Sequence, residues 1–156
     1  SKYEKGFKDY ITGKEPYELT EKVYWKNLNN EDSINIHGRI IGGCLDLIVD
    51  LFGTRFDKTK DFLEKYKDDG IVWYLDICEL TGEVTKGIIF GRSFIYNSYY
   101  DITYEETIKD ALKKLNIPII INADIGHVSP RMTIINGAIA TITSSKGKGK
   151  IKFTLK

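Results

Sequence analysis

Two histidines, two cysteines and three prolines are all that the 156 residues hold of those types, and each scarcity closes off a class of protein. Cys44 and Cys78 sit inside apolar sequence without metal-ligand spacing. Neither a disulfide scaffold nor a metal site is expected from them, and they read as buried thiols in a reducing compartment. No apolar run approaches the roughly 20 residues that span a bilayer. The charged opening Ser1-Lys2-Tyr3-Glu4-Lys5 lacks the apolar h-region of a secretory leader. An excess of one charge is missing too: 23 Lys and Arg face 22 Asp and Glu, a formal net charge of +1. That balance offers no global attraction for nucleic acid or an anionic membrane. The expectation is a cytoplasmic protein with no nucleic-acid and no membrane partner.

What is present suits one globular domain with a real core, since 42% of the residues are hydrophobic and 29% charged. Residues 1–19 are polar and lack periodicity, an irregular opening segment; the domain proper is expected over 20–156. Glu21 to Asn27 and Ser33 to Ile41 alternate as strands, the second ending at Gly42-Gly43. Leu45, Leu47, Ile48, Leu51 and Phe52 follow helical spacing up to Gly53, and Asp57 is placed to cap a helix over 58–67 carrying Phe62, Leu63 and Tyr66. Ile71 to Ile77 is a nearly continuous apolar run, the mark of a strand covered on both faces. Leu80-Thr81-Gly82-Glu83 is a tight connection to a strand over 84–90, and Asn97 to Asp101 a Tyr-rich loop. Thr103 with Glu106 forms a capping box for a helix to Asn116 whose inner face is Ile108, Ala111, Leu112 and Leu115. Pro118 opens a strand, Met132 to Thr143 alternates as another, and a turn over 144–149 returns the chain as a lysine-guarded edge strand over 151–155. The pattern predicts an α/β fold: a single domain with a mixed β-sheet flanked by helices and a C-terminal β-hairpin.

The residue that stands out is His127. The apolar run Ile119-Ile120-Ile121 stops at Asn122-Ala123-Asp124, and Gly126 then sets His127 on a loop closed by Pro130. A strand's carboxyl end is where open α/β sheets keep ligands, and imidazole titrates near neutral pH. From the residues alone a loop histidine bonded to backbone is the favoured reading. His37, on an alternating strand, reads as a surface residue. Ser93 in Gly91-Arg92-Ser93-Phe94-Ile95 fails as a nucleophile elbow because Ile95 replaces the second glycine. Gly42-Gly43 before a helix suits close packing better than anion binding, and Cys44 reads as a small hydrophobe rather than a reactive thiol. Tyr96, Tyr99, Tyr100 and Tyr104 have no basic groove to make a base-stacking platform. Lys146, Lys148, Lys150 and Lys152 read as a solvated hairpin.

Several stretches in order resemble one family: Pro16 to Thr20, Trp25 to Asn29, Gly38-Arg39-Ile40-Ile41-Gly42-Gly43-Cys44-Leu45-Asp46, Trp73 to Cys78, Lys86 to Arg92, Pro118 to Ile120, Gly126-His127 and Asn136-Gly137-Ala138. They are similar to the C-terminal domain of the LD-carboxypeptidase and microcin C self-immunity serine peptidases. The resemblance implies the fold of that domain and amide hydrolysis by a Ser-Glu-His triad, without cofactor or metal. His127 would be the base. Asp76 stands where the family carries its glutamate, one methylene shorter, with Glu79 as a displaced substitute. The serine belongs to the family's N-terminal domain, outside this sequence, so the isolated chain is expected to be inactive. In the intact family the partner is a small peptide or peptide-nucleotide substrate. An apolar face left without that domain predicts a homo-oligomer. Leu80 to Glu83 replaces a family helix, which favours the alternative of a non-enzymatic, shortened or engineered α/β scaffold.

Overall fold

The computed structural model describes residues 22–29, 32–76, 85–93 and 102–155, without the side chains of residues 45, 46, 49 and 76. Seven strands form one sheet: β1 (Lys26–Asn27), β2 (Ser33–Cys44), β3 (Ile71–Asp76), β4 (Thr85–Gly91), β5 (Ile119–Ala123), β6 (Ile139–Ser145) and β7 (Lys148–Thr154). Helices α1 (Leu45–Leu51) and α2 (Thr59–Lys65) lie between β2 and β3, and α3 (Tyr104–Leu112) between β4 and β5. The spatial order is β1-β5-β4-β3-β2-β6-β7. The four central strands are parallel, and β1, β6 and β7 add antiparallel. This is the mixed α/β sheet with a closing hairpin that the sequence predicts.

The sheet curls until its ends meet. Trp25, just before β1, donates its backbone N–H to the Gly147 carbonyl in the β6–β7 turn at 3.0 Å, and Asn27 Nδ2 reaches the Ser144 carbonyl at 3.3 Å. The Trp25 ring lies so close over Gly149 that a Cβ there would sit 1.9 Å from it. Alternation then sorts every central strand between two cores. Ile34, Ile36, Ile40, Val72, Ile89, Ile120 and Ile142 fill the inside of the curl around Trp25. Ile71, Trp73, Leu75, Ile88, Phe90, Ile119 and Ile121 face out and are covered by Ile108 and Leu112 of α3 and by Phe62, Leu63 and Tyr66. Each fully buried residue of this size contributes about 1.5–3 kcal/mol, so the strands need apolar residues on both faces.

Several expected boundaries move. β2 does not stop at Gly42-Gly43 but runs through them to Cys44, pairing Gly42 with Tyr74 and Gly43 with Leu75. A Cβ at Gly42 would sit 1.7 Å from the Tyr74 carbonyl oxygen, so glycine is what lets two backbones approach there. The expected strand over 21–27 shrinks to Lys26–Asn27, because Trp25 turns into the curl. Met132 to Ala138 is irregular, and β6 begins only at Ile139; Met132 and Ile134 alternate because they plug the inner core, not because they pair. Leu47, Leu51 and Phe52 are exposed rather than packed, while Ile48 joins the core. Ala111 is exposed as well. The helix expected over 58–67 spans only Thr59–Lys65 with Lys58 as its N-cap, so Asp57 stands one residue before the cap, accepting from Thr59 N at 2.9 Å and Gly53 N at 3.0 Å. The Thr103–Glu106 capping box forms as expected. Segments 1–19, 80–83 and 97–101 lie outside the described residues.

Candidate functional site

Parallel strands put their carboxyl ends on one side, and an open cleft of about 350 Å³ lies there. Gly43 and Cys44 close β2, Tyr74 and Leu75 approach the end of β3, and Ile125, Gly126, His127 and Arg131 come from the loop after β5. Gly126 has φ of +89°, in the left-handed region glycine tolerates, and this turns the chain so that an exposed His127 lies over the cleft. The Ser129–Pro130 bond just after it is cis.

One polar network holds this loop. Asp124 Oδ2 accepts from Trp25 Nε1 at 3.0 Å, and its Oδ1 lies 3.2 Å from Arg92 Nη2, an ion-pair contact without hydrogen-bond alignment. The Arg92 guanidinium, at the end of β4, also donates to the carbonyls of Val128 at 3.0 Å, Ser129 at 3.4 Å and Pro130. Next to the cleft, Asn136 brackets Gly42 (one residue before Gly43), accepting from its N–H at 3.2 Å and donating to its carbonyl at 3.3 Å. Burial pushes the Tyr74 phenol above its ordinary value, which a hydrogen bond with Asn136 partly offsets, so at neutral pH the hydroxyl keeps its proton.

Of the residues singled out from sequence, His127 and Cys44 line the cleft together, Cys44 half-buried rather than fully buried. Asp76 is the last residue of β3 and pairs with Cys44 across the sheet, which sets its backbone at the same end. Its side chain, and all of Glu79, lie outside the described residues, as do Cys78, Tyr96, Tyr99 and Tyr100. His37 is exposed on β2 with Nδ1 2.9 Å from Thr141 Oγ1, away from the cleft. Tyr104 donates to the Gly91 carbonyl at 3.2 Å, a structural duty. Lys148, Lys150 and Lys152 stand exposed along edge strand β7. Sequence reasoning assigned no role to Arg92, Asp124 or Arg131. Arg92 and Asp124 are 32 positions apart, and nothing local in either stretch signals their meeting.

Comparison with known proteins completes the description. Among curated proteins no sequence matches the chain. Solved structures do, over about half their own length. A MccF-like protein from Bacillus anthracis is 24% identical with a TM-score of 0.59, over 95% of this chain and 47% of that one. A MccF-like protein from Streptococcus pneumoniae is 23% identical with a TM-score of 0.53, over 89% and 46%. A muramoyltetrapeptide carboxypeptidase from Oxalobacter formigenes is 17% identical with a TM-score of 0.60, over 99% and 56%. At these identities the likeness establishes the fold. The sequence profile of the LD-carboxypeptidase C-terminal domain matches residues 37–142, well over half of the chain, from within β2 to within β6 and including the His127 loop. The chain belongs to the LD-carboxypeptidase C-terminal domain family.

Proposed function

We propose that this chain is the histidine-bearing half of a serine-type carboxypeptidase. The single observation that carries the reading is the place of His127: on the cleft at the carboxyl ends of β2 and β3, within a segment matching the family's C-terminal domain. In the proposed reaction a serine from a complementary half attacks the scissile carbonyl carbon. One nitrogen of His127 takes the serine proton and delivers it to the leaving amine as the C–N bond breaks; it then takes a proton from the water that attacks the serine ester and returns it to the serine oxygen as the acid leaves. Asp76, at the end of β3, is assigned the task of orienting the ring through its other nitrogen, with Glu79 as the substitute. Oxyanion donors come with the serine half, and no step calls for a metal or cofactor.

The proposed substrate class is a small peptide or peptide-nucleotide conjugate cleaved at an amide bond. In support, the Streptococcus pneumoniae MccF-like protein was solved in complex with AMP, and the self-immunity protein MccF with aspartyl sulfamoyl adenosine. We assign the chain to the cytoplasm and to a homo-oligomer. Leu47, Leu51, Phe52 and Phe56 stand exposed within one short stretch, the apolar surface such association would cover.

The test is an assay of the isolated chain against a murein tetrapeptide and an aminoacyl sulfamoyl nucleotide. No turnover is expected without a serine half. Turnover abolished by His127→Ala would overturn the division of labour, and turnover unaffected by that substitution would overturn the role of His127.

A further inference from the structure

We infer that Arg92 is the positioning residue of the His127 loop, a latch that fixes where the imidazole stands without itself touching substrate. The inference rests on His127 being the base. Two backbone bonds close the neck of the loop after β5, Ile125 N to Ala123 O at 2.8 Å and Met132 N to Asp124 O at 2.7 Å. Inside that neck one side chain gathers several carbonyls. Three successive carbonyls directly after His127, those of Val128, Ser129 and Pro130, converge on the Arg92 guanidinium. Only a planar fork with several N–H groups can hold such a set, and a lysine ammonium presents a single point.

The latch is itself anchored. Arg92 and Asp124 side chains are 18% and 17% exposed, so their ion pair is largely out of water and holds the charge of the guanidinium in place. Trp25 Nε1 fixes the other carboxylate oxygen of Asp124 from the inner core. Gly91 abuts the loop so closely that a Cβ would sit 2.4 Å from the Ile125 carbonyl oxygen. Tyr104 of α3 holds the Gly91 carbonyl from the opposite side. Sheet, helix and inner core therefore all bear on the anchorage of Arg92. That matters because a base displaced by about 1 Å can lose on the order of a hundredfold in rate.

The chain has only two histidines, so ring NMR reads His127 directly with His37 as the internal standard. In Arg92→Lys, which keeps a cation for Asp124 but no fork, the His127 ring signal should broaden or split while His37 stays sharp. The Met132 amide should exchange roughly tenfold faster or more, with the Val72 amide in the centre of the sheet unchanged. In Arg92→Ala, added ethylguanidinium should restore the single sharp His127 signal. An unchanged His127 signal and Met132 exchange would overturn the inference. So would loosening spread evenly over sheet and loop, or global unfolding of both variants, because Arg92 would then hold the fold rather than the loop. None of these readouts requires catalysis, so the latch can stand even if His127→Ala shows that the proposed chemistry is wrong.

Discussion

Replacing Gly42 by alanine probes the close contact of β2 and β3 beside the cleft. The new Cβ would sit 1.7 Å from the Tyr74 carbonyl oxygen and 2.9 Å from the Tyr74 ring, where ordinary contact begins at 3.4 Å. Backbone cannot step aside as a flexible side chain can. The neighbouring pairs Ile41–Trp73 and Gly43–Leu75 hold β2 and β3 in register on either side. Opening the strands would also pull Gly42 from the two Asn136 hydrogen bonds. Overpacking of this kind costs about 1–3 kcal/mol, and two hydrogen bonds add about 1 kcal/mol each. Together they give roughly 3–5 kcal/mol, or a fall in Tm of roughly 6–20 °C for a domain of this size. Gly53→Ala is the matched control, because nothing lies within 4 Å of its Cβ and only its φ of +74° is strained. That strain costs about 1–2 kcal/mol. Thermal unfolding followed by circular dichroism decides the matter. A Gly42→Ala melting point within about 2 °C of the parent, or no lower than that of Gly53→Ala, would refute the close strand contact.

Two further outcomes are expected. Hydrogen bonds from the Thr103 hydroxyl and then its backbone N–H hold the Glu106 carboxyl below its ordinary value of 4.5, and Lys26 followed by Lys109 does the same for Glu105. Groups with depressed folded-state values stabilise fully above that ordinary value and lose the effect as pH falls through the folded one. Protection of the α3 amides against exchange should therefore fall below pH 4.5 before that of the sheet; uniform protection down to the acid transition would contradict this. Ile120→Ala, fully buried between the inner core residues, should cost about 2–5 kcal/mol, and a chemical-denaturation loss under about 1 kcal/mol would contradict the closed inner core.

Local pattern made much of this fold legible. Ile34 and Ile36 alternate because β2 shows one face to the inner core, Ile71 to Leu75 run apolar because β3 is covered on both faces, and Thr103 with Glu106 three residues on marks the start of α3. Where sequence reading failed, distant contacts had overruled local cues. Gly42-Gly43 look like a stop, yet they continue β2 because the Tyr74 backbone needs the space. Met132 and Ile134 alternate like a strand while serving as plugs. The curl brings Trp25 to Asp124 across 99 positions, which no periodicity encodes. His127 was legible because a glycine after an apolar run places a loop at a strand end. Arg92, which grips that loop, was not, because a lone arginine after a glycine looks like any surface cation.

The relation between His127 and Asp76 is the point on which the proposed chemistry turns. An X-ray structure of the chain would give the distance from the His127 ring nitrogens to the Asp76 carboxylate. A separation of about 2.6–3.2 Å, or slightly looser without substrate, is expected of a working dyad. A gap beyond about 6 Å would contradict it, since a carboxylate that distant no longer acts on the ring.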